Sequence, residues 1–103
     1  MSYLDVRELA LDLPAVEQGT SYGTPALKVR GKLLARLKED GQTLVLRTTL
    51  ADRTRLLSAA PDVFYLTDHY LNYPMILIRL PQIDRALLRE LLAEAWRLAS
   101  PKR

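Results

Sequence analysis

The 103-residue sequence contains no cysteine, one histidine, one tryptophan, one phenylalanine and only four glycines. Each scarcity excludes a kind of chemistry. Without cysteine there is no disulfide framework, no thiolate nucleophile and no zinc–thiolate centre. A single histidine leaves no imidazole cluster for a transition metal, and no spacing of carboxylates resembles a calcium loop, so neither a metal nor a cofactor is expected. No apolar run approaches the roughly 20 residues that cross a bilayer, and Met1-Ser2-Tyr3-Leu4-Asp5 lacks the basic and apolar blocks of a secretory signal. A cytoplasmic protein with no membrane partner is therefore expected. Nor is there a large excess of one charge: fifteen Lys and Arg against twelve Asp and Glu give +3. What is present, 49% hydrophobic and 26% charged residues, is the composition of one globular domain over 1–103.

The distribution of charge is more informative than its sum. Residues 1–27 set Arg7 against Asp5, Glu8, Asp12 and Glu17, whereas residues 28–50 set Lys28, Arg30, Lys32, Arg36, Lys38 and Arg47 against Glu39 and Asp40. The basic stretch coincides with a change of hydrophobic period. Leu4, Val6, Leu9, Ala10 and Leu13 fall at mostly helical spacing behind Ser2, which predicts a helix from about Tyr3 to Asp12 stopped by Pro14. Pro14 to Pro25 has two glycines, two prolines and no period, and is expected to be an ordered loop.

From Leu27 the period is two. Leu27–Arg30, Leu33–Lys38 and Thr43–Thr48 are predicted strands, with Asp40-Gly41 as a two-residue hairpin placing Glu39 opposite Gln42. Parity then puts Leu33, Ala35, Leu37, Leu44 and Leu46 on one face and Leu34, Arg36, Val45 and Arg47 on the other. At the first hairpin a three-residue Arg30-Gly31-Lys32 loop brings Leu27 and Val29 to the leucine face. That register is favoured over a two-residue Gly31-Lys32 loop, because burying two such side chains is worth about 1.5–3 kcal/mol each. Thr49 begins a second helix ending before Pro61. Val63–Leu66 and Met75–Leu80 are two further strands, and Asp84 caps a final helix with an apolar stripe of Leu87, Leu88, Leu91, Leu92, Ala95 and Leu98. The expected fold is α+β, a two-layer sandwich in the order α-β-β-β-α-β-β-α. An antiparallel sheet of about five strands carries its helices on one face.

Three kinds of chemistry follow from these positions. His69 beside Asp68, with Ser21 or Thr67 as a nucleophile, would be a general base, but adjacent residues diverge in direction and no convincing catalytic constellation exists; no enzyme is expected. Gly19-Thr20-Ser21-Tyr22-Gly23 lacks the arrangement of a phosphate loop. The third is the uncovered sheet face, where Lys28, Arg30, Arg36, Lys38, Arg47 and Arg79 are expected to project together, with Lys32 at the hairpin tip and Tyr70 and Tyr73 nearby to stack on bases. That is a surface for a nucleic-acid phosphate backbone with little sequence specificity. The alternative is a small-ligand or protein-interaction pocket lined by Tyr22, His69, Tyr70 and Tyr73, the cations being merely solvated.

Several blocks carry a resemblance: Gly23-Thr24-Pro25-Ala26-Leu27-Lys28-Val29-Arg30-Gly31-Lys32, Leu34-Ala35-Arg36-Leu37, Pro61-Asp62-Val63-Phe64, His69-Tyr70-Leu71-Asn72-Tyr73-Pro74-Met75-Ile76-Leu77-Ile78, and Ala95-Trp96-Arg97-Leu98 with Pro101-Lys102-Arg103. In order and spacing they are similar to the MmcQ/YjbR family of small bacterial proteins. The resemblance implies a frataxin/CyaY-like fold and a DNA-binding role through a double wing of β-hairpins, with no established catalytic residue or cofactor. Lys28, Gly31, Lys32, His69, Tyr73 and Pro74 match its recurrent positions, while Leu27, Leu34 and Met75 replace aromatic residues. The protein is expected to act as a monomer, with DNA as its partner or else an unknown small ligand or protein.

Overall fold

The computed structural model describes residues 1–100; the tail Pro101-Lys102-Arg103 lies outside them. Helix α1 spans Tyr3–Leu11, strands β1 Val16–Ser21, β2 Thr24–Val29, β3 Lys32–Leu37 and β4 Thr43–Arg47 follow, then α2 Leu50–Ala59, β5 Phe64–Tyr65, β6 Met75–Arg79 and α3 Arg85–Ala99. Short 3-10 turns at Asp68–Tyr70 and Leu80–Gln82 flank β6. The strands form one antiparallel sheet in the order β1-β2-β3-β4-β6-β5. The architecture is the expected α+β sandwich, with six strands rather than five.

Local chemistry accounts for the helix ends. The Ser2 N–H donates to Asp5 Oδ2 at 2.8 Å, Thr49 Oγ1 accepts from Asp52 N–H at 3.1 Å, and Asp84 Oδ1 accepts from Leu87 N–H at 2.7 Å. Each satisfies an amide that the first helical turn leaves without a partner. All three helices lie on one face of the sheet. Val6, Leu9 and Ala10 of α1, Leu56 of α2 and Leu88, Leu92, Ala95 and Ala99 of α3 close over Leu27, Val29, Leu34, Leu44, Leu46, Ile76 and Ile78.

The extra strand corrects the reading of Pro14–Pro25 as a loop. β1 pairs with β2 from Val16↔Val29 to Ser21↔Thr24 through a two-residue Tyr22-Gly23 turn. Both turn residues have positive φ, +54° and +79°. This is the pairing of signs that two-residue hairpins require, with a tyrosine where asparagine or glycine is usual. The β2–β3 hairpin also differs from expectation. Its loop is Arg30-Gly31, again with both φ positive (+52° and +84°), and Val29 pairs with Lys32. Lys28 then faces Leu33 while Leu27 faces Ala35, so Leu34 is the extra residue of a bulge. The bulge restores Leu27 and Val29 to the helix-covered face, as burial demanded. It also exchanges Leu33 and Leu34: Leu34 enters the main core and Leu33 turns to the opposite face. Asp40-Gly41 keeps the expected register, Leu37 opposite Leu44, but as a wider turn in which only Gly41 has positive φ. There the Asp40 carboxylate accepts from the Gln42 and Thr43 N–H groups, both at 2.9 Å.

Candidate functional site

The sheet face opposite the helices was expected to be open, and it is not. The segment Tyr65–Met75 folds back over it, and Tyr70, buried, packs with Val45, Met75 and Leu77 against Leu33, Tyr65 and Leu66. The fastening is an arginine carried by the second helix. Arg53 of α2 is only 8% exposed. Its Nη1 donates to the carbonyls of Tyr70 (3.2 Å), Tyr73 (2.8 Å) and Met75 (3.3 Å), and its Nη2 to that of Leu71 (3.0 Å). No carboxylate pairs with it among the described residues. The carbonyl dipoles stabilise the buried charge, and the charge fixes the loop.

Closing the loop over β3 traps a second arginine. Arg36 is 5% exposed. Its Nε donates to Tyr70 Oη at 3.2 Å, and its Nη1 to Thr24 Oγ1 at 2.9 Å and the Leu37 carbonyl at 3.3 Å. The ring of Tyr22 lies 5.0 Å from its guanidinium carbon, within reach of a cation–π attraction. Tyr22 reaches this position from a left-handed backbone conformation that costs a bulky residue about 1–2 kcal/mol, while its side chain stays largely exposed. The result is a recess of about 280 Å³ lined by Tyr22, Arg36, Lys38, Glu39, Thr67, His69 and Tyr70. Thr67 contributes to its wall, but the Thr67 Oγ1 lies out of reach of solvent without a hydrogen-bond partner among the described residues, an arrangement that costs about 1–3 kcal/mol. His69 is exposed, edge-on to Tyr70 at 4.7 Å and tilted toward Tyr73 at 6.0 Å.

The structure thus brings together Tyr22, Arg36, Lys38, His69 and Tyr70, with Tyr73 beside His69, and disperses the other expected cations. Lys28 is half-buried and stands across from Glu17 of β1. Arg30 and Lys32 are exposed at the β2–β3 turn. Arg47 spends its Nε on the Leu33 carbonyl at 2.7 Å, and burial pushes its guanidinium below the usual range. Arg79 lies over the Tyr65 ring at 4.2 Å and donates to the Pro61 carbonyl at 3.2 Å. The continuous cationic sheet face expected from parity is therefore corrected: covering by Tyr65–Met75 buries Arg36 and Tyr70, and backbone carbonyls engage Arg47 and Arg79. Sequence reasoning missed Glu39 as a lining residue and Arg53 as the loop's anchor. For Arg53 the signal was a charge at a core-facing position of α2.

Two other features take no part. The acidic face of α1 is spent on Arg85, whose Nη2 meets Glu8 at 2.9 Å and whose Nη1 meets Asp5 at 3.6 Å. Ser2's backbone N–H, with Arg85 contributing less, holds the Asp5 carboxyl below the usual carboxylate range. Among the described residues no three His, Asp or Glu side chains gather to hold a metal. A larger cavity of about 490 Å³ between α2 and α3 has an apolar floor, and its rim charges close on one another, Asp52 with Arg55 at 3.1 Å and Glu94 with Arg97 at 2.6 Å.

Fold and recess define a small two-layer α+β domain that keeps its aliphatic core on one side of the sheet and a polar, tyrosine-lined hollow on the other. A family model described as YjbR matches residues 11–98, and the chain belongs to the YjbR family. It is 40% identical over 47 residues to the uncharacterized proteins Mb2600 of Mycobacterium bovis and Rv2570 of Mycobacterium tuberculosis. These alignments span 46% of this chain and 36% of each relative, so the chain accounts for only part of their length. The crystal structure of the Deinococcus radiodurans protein DR2400, with family domain DUF419, superposes with a TM-score of 0.84 at 21% identity. It covers 98% of this chain and 80% of that one. That likeness establishes the fold. No helix among the described residues is long and apolar enough to cross a membrane.

Proposed function

We propose that the protein is a binding domain for a small ligand with an anionic head, held in the recess between Tyr22, Arg36, Lys38, Thr67, His69 and Tyr70. The observation that carries this reading is the convergence of a buried, pre-oriented guanidinium with the Lys38 ammonium and the Tyr22 ring in the wall of one concave site. Arg36 is held by Tyr70 and Thr24 before any ligand arrives, so little is lost in ordering it, and a planar guanidinium suits an oxyanion. At about 280 Å³ the recess falls just below the roughly 300–1,000 Å³ of drug-sized sites, which suits one anionic group and an adjoining ring on Tyr22. The reading assigns no catalytic step.

A nucleic-acid backbone is the second source of such a head. The exposure of Arg30 and Lys32 on the β2–β3 turn favours it, since they extend the charge beyond the recess. Calorimetric titration with benzoate and with a 12-base-pair duplex separates the two. Binding of benzoate weakened at least about fivefold by Lys38→Ala supports the small-ligand reading. Duplex binding whose logarithm falls with log salt at a slope near −3.6, about four phosphates through Lys28, Arg30, Lys32 and Lys38, favours DNA. Absence of both at low salt removes the proposal.

A further inference from the structure

We propose that Glu39 sets the charge of the ligand, so that the recess takes a singly charged oxyanion, a carboxylate or a phosphodiester, and turns away a doubly charged phosphate monoester. This rests on the reading of the recess as an anion site. Its lining carries three fixed charges, Arg36, Lys38 and Glu39. Glu39 Oε2 lies 3.5 Å from Arg36 Nη1, and the two partners are unlike: the Arg36 side chain is 6% exposed and the Glu39 side chain 63%. The guanidinium is locked by Tyr70, Thr24 and the Leu37 carbonyl, so the carboxylate at the mouth is the member that can move. Its own backbone N–H, and secondarily Arg36, hold the Glu39 carboxyl below the usual carboxylate range, which keeps it ionised at neutral pH.

Two cations and one anion leave one positive charge to be met. A monoanion meets it. A dianion leaves an excess negative charge beside Glu39 at the open mouth, and like charges a few ångströms apart repel even where solvent weakens the interaction. Glu39→Gln keeps the side chain's size and removes the opposing charge, so the preference should pass to the dianion. The shared chemistry, a singly charged oxyanion, has two sources: a small carboxylate, or the phosphodiester of a nucleic-acid backbone.

A matched pair of probes tests this at pH 8, where phenyl phosphate is doubly charged because its second ionisation lies near pH 6, while methyl phenyl phosphate carries one charge on the same ring. Calorimetric titration of the full chain should show methyl phenyl phosphate binding about tenfold tighter than phenyl phosphate, a ratio that Glu39→Gln inverts and the charge-retaining Glu39→Asp preserves. Thermal midpoints confirm that both variants, altered at an exposed position, remain folded. A ratio unchanged by Glu39→Gln, or a wild-type preference for phenyl phosphate, overturns the role of Glu39 and leaves the anion site standing. Failure of every probe to bind either protein overturns both. In competition against methyl phenyl phosphate, benzoate displacing it more effectively than an octathymidylate single strand points to a carboxylate, and the reverse to a nucleic-acid backbone.

Discussion

The two faces of the sheet are buried by opposite means. On one, three helices press aliphatic side chains onto Leu27, Leu34, Leu44, Leu46, Ile76 and Ile78, a contact that needs no direction and tolerates small shifts. On the other, the single segment Tyr65–Met75 covers a much smaller apolar patch around Val45 and Leu77, and directional hydrogen bonds donated by Arg53 and Arg36 hold it in place. The first face stores stability, whereas the second positions charged and polar groups at a concave surface. The contrast explains why the recess lies on the thinner layer: only there can a guanidinium be buried yet still border solvent.

Substitutions on each side should separate the two roles. Leu44→Ala, in the helix-covered core, should lower unfolding free energy by about 2–5 kcal/mol while the folded fraction keeps its anion affinity; urea titration paired with calorimetry checks this. Arg53→Met should cost about 2 kcal/mol, because it removes charged hydrogen bonds to four carbonyls, of which those of Tyr70 and Tyr73 keep a backbone donor. Its signature is local: amide exchange should accelerate at Leu71–Met75 and anion binding should be lost. If exchange instead rises equally throughout the molecule, the two faces are not independent and the contrast fails.

Smaller effects sharpen it. Arg30→Asn, at an exposed turn position with φ of +52°, should raise stability by about 0.5 kcal/mol, since asparagine tolerates left-handed backbone better than arginine. It should leave benzoate affinity unchanged, and a matching loss would shift the site from the recess to the hairpin tip. The smallest effect concerns acid. The Gln42 N–H, with Thr43 adding to it, holds the Asp40 carboxyl below the usual range. Its contribution is therefore complete above the ordinary aspartate pKa of about 3.9 and disappears as pH falls through the lower folded value. Asp40→Asn should flatten the fall in thermal midpoint between pH 4 and pH 2, and an unchanged slope would assign acid sensitivity to other carboxylates.

The helix-covered face was largely legible in the sequence because its elements repeat apolar residues at 3.6 or 2 and carry recognisable caps at Ser2, Thr49 and Asp84. β1 was not, since Glu17, Gln18, Gly19 and Thr20 are all exposed and show no alternation. Its turn, moreover, uses Tyr22-Gly23 rather than an asparagine–glycine pair. Strict parity also failed at Leu33 and Leu34, where a bulge adds a residue that only pairing with β2 reveals. For the site, Tyr22, Arg36, Lys38, His69 and Tyr70 were all named, but under two competing readings. Their meeting in one recess depends on Tyr65–Met75 folding over the sheet, and that segment has too little periodicity to announce where it packs. Thr67 entered the sequence reading only as a nucleophile, and Glu39 only as an opposing charge in the basic stretch and as a turn residue.

Chemical-shift mapping with methyl phenyl phosphate on uniformly labelled protein tests the central claim most directly. The account predicts saturable shifts at Tyr22, Arg36 to Glu39 and Thr67 to Tyr70, including the Arg36 Nε–H that donates to Tyr70. Shifts confined to Arg30 and Lys32, or to Glu90 and Arg97 between the helices, would contradict it.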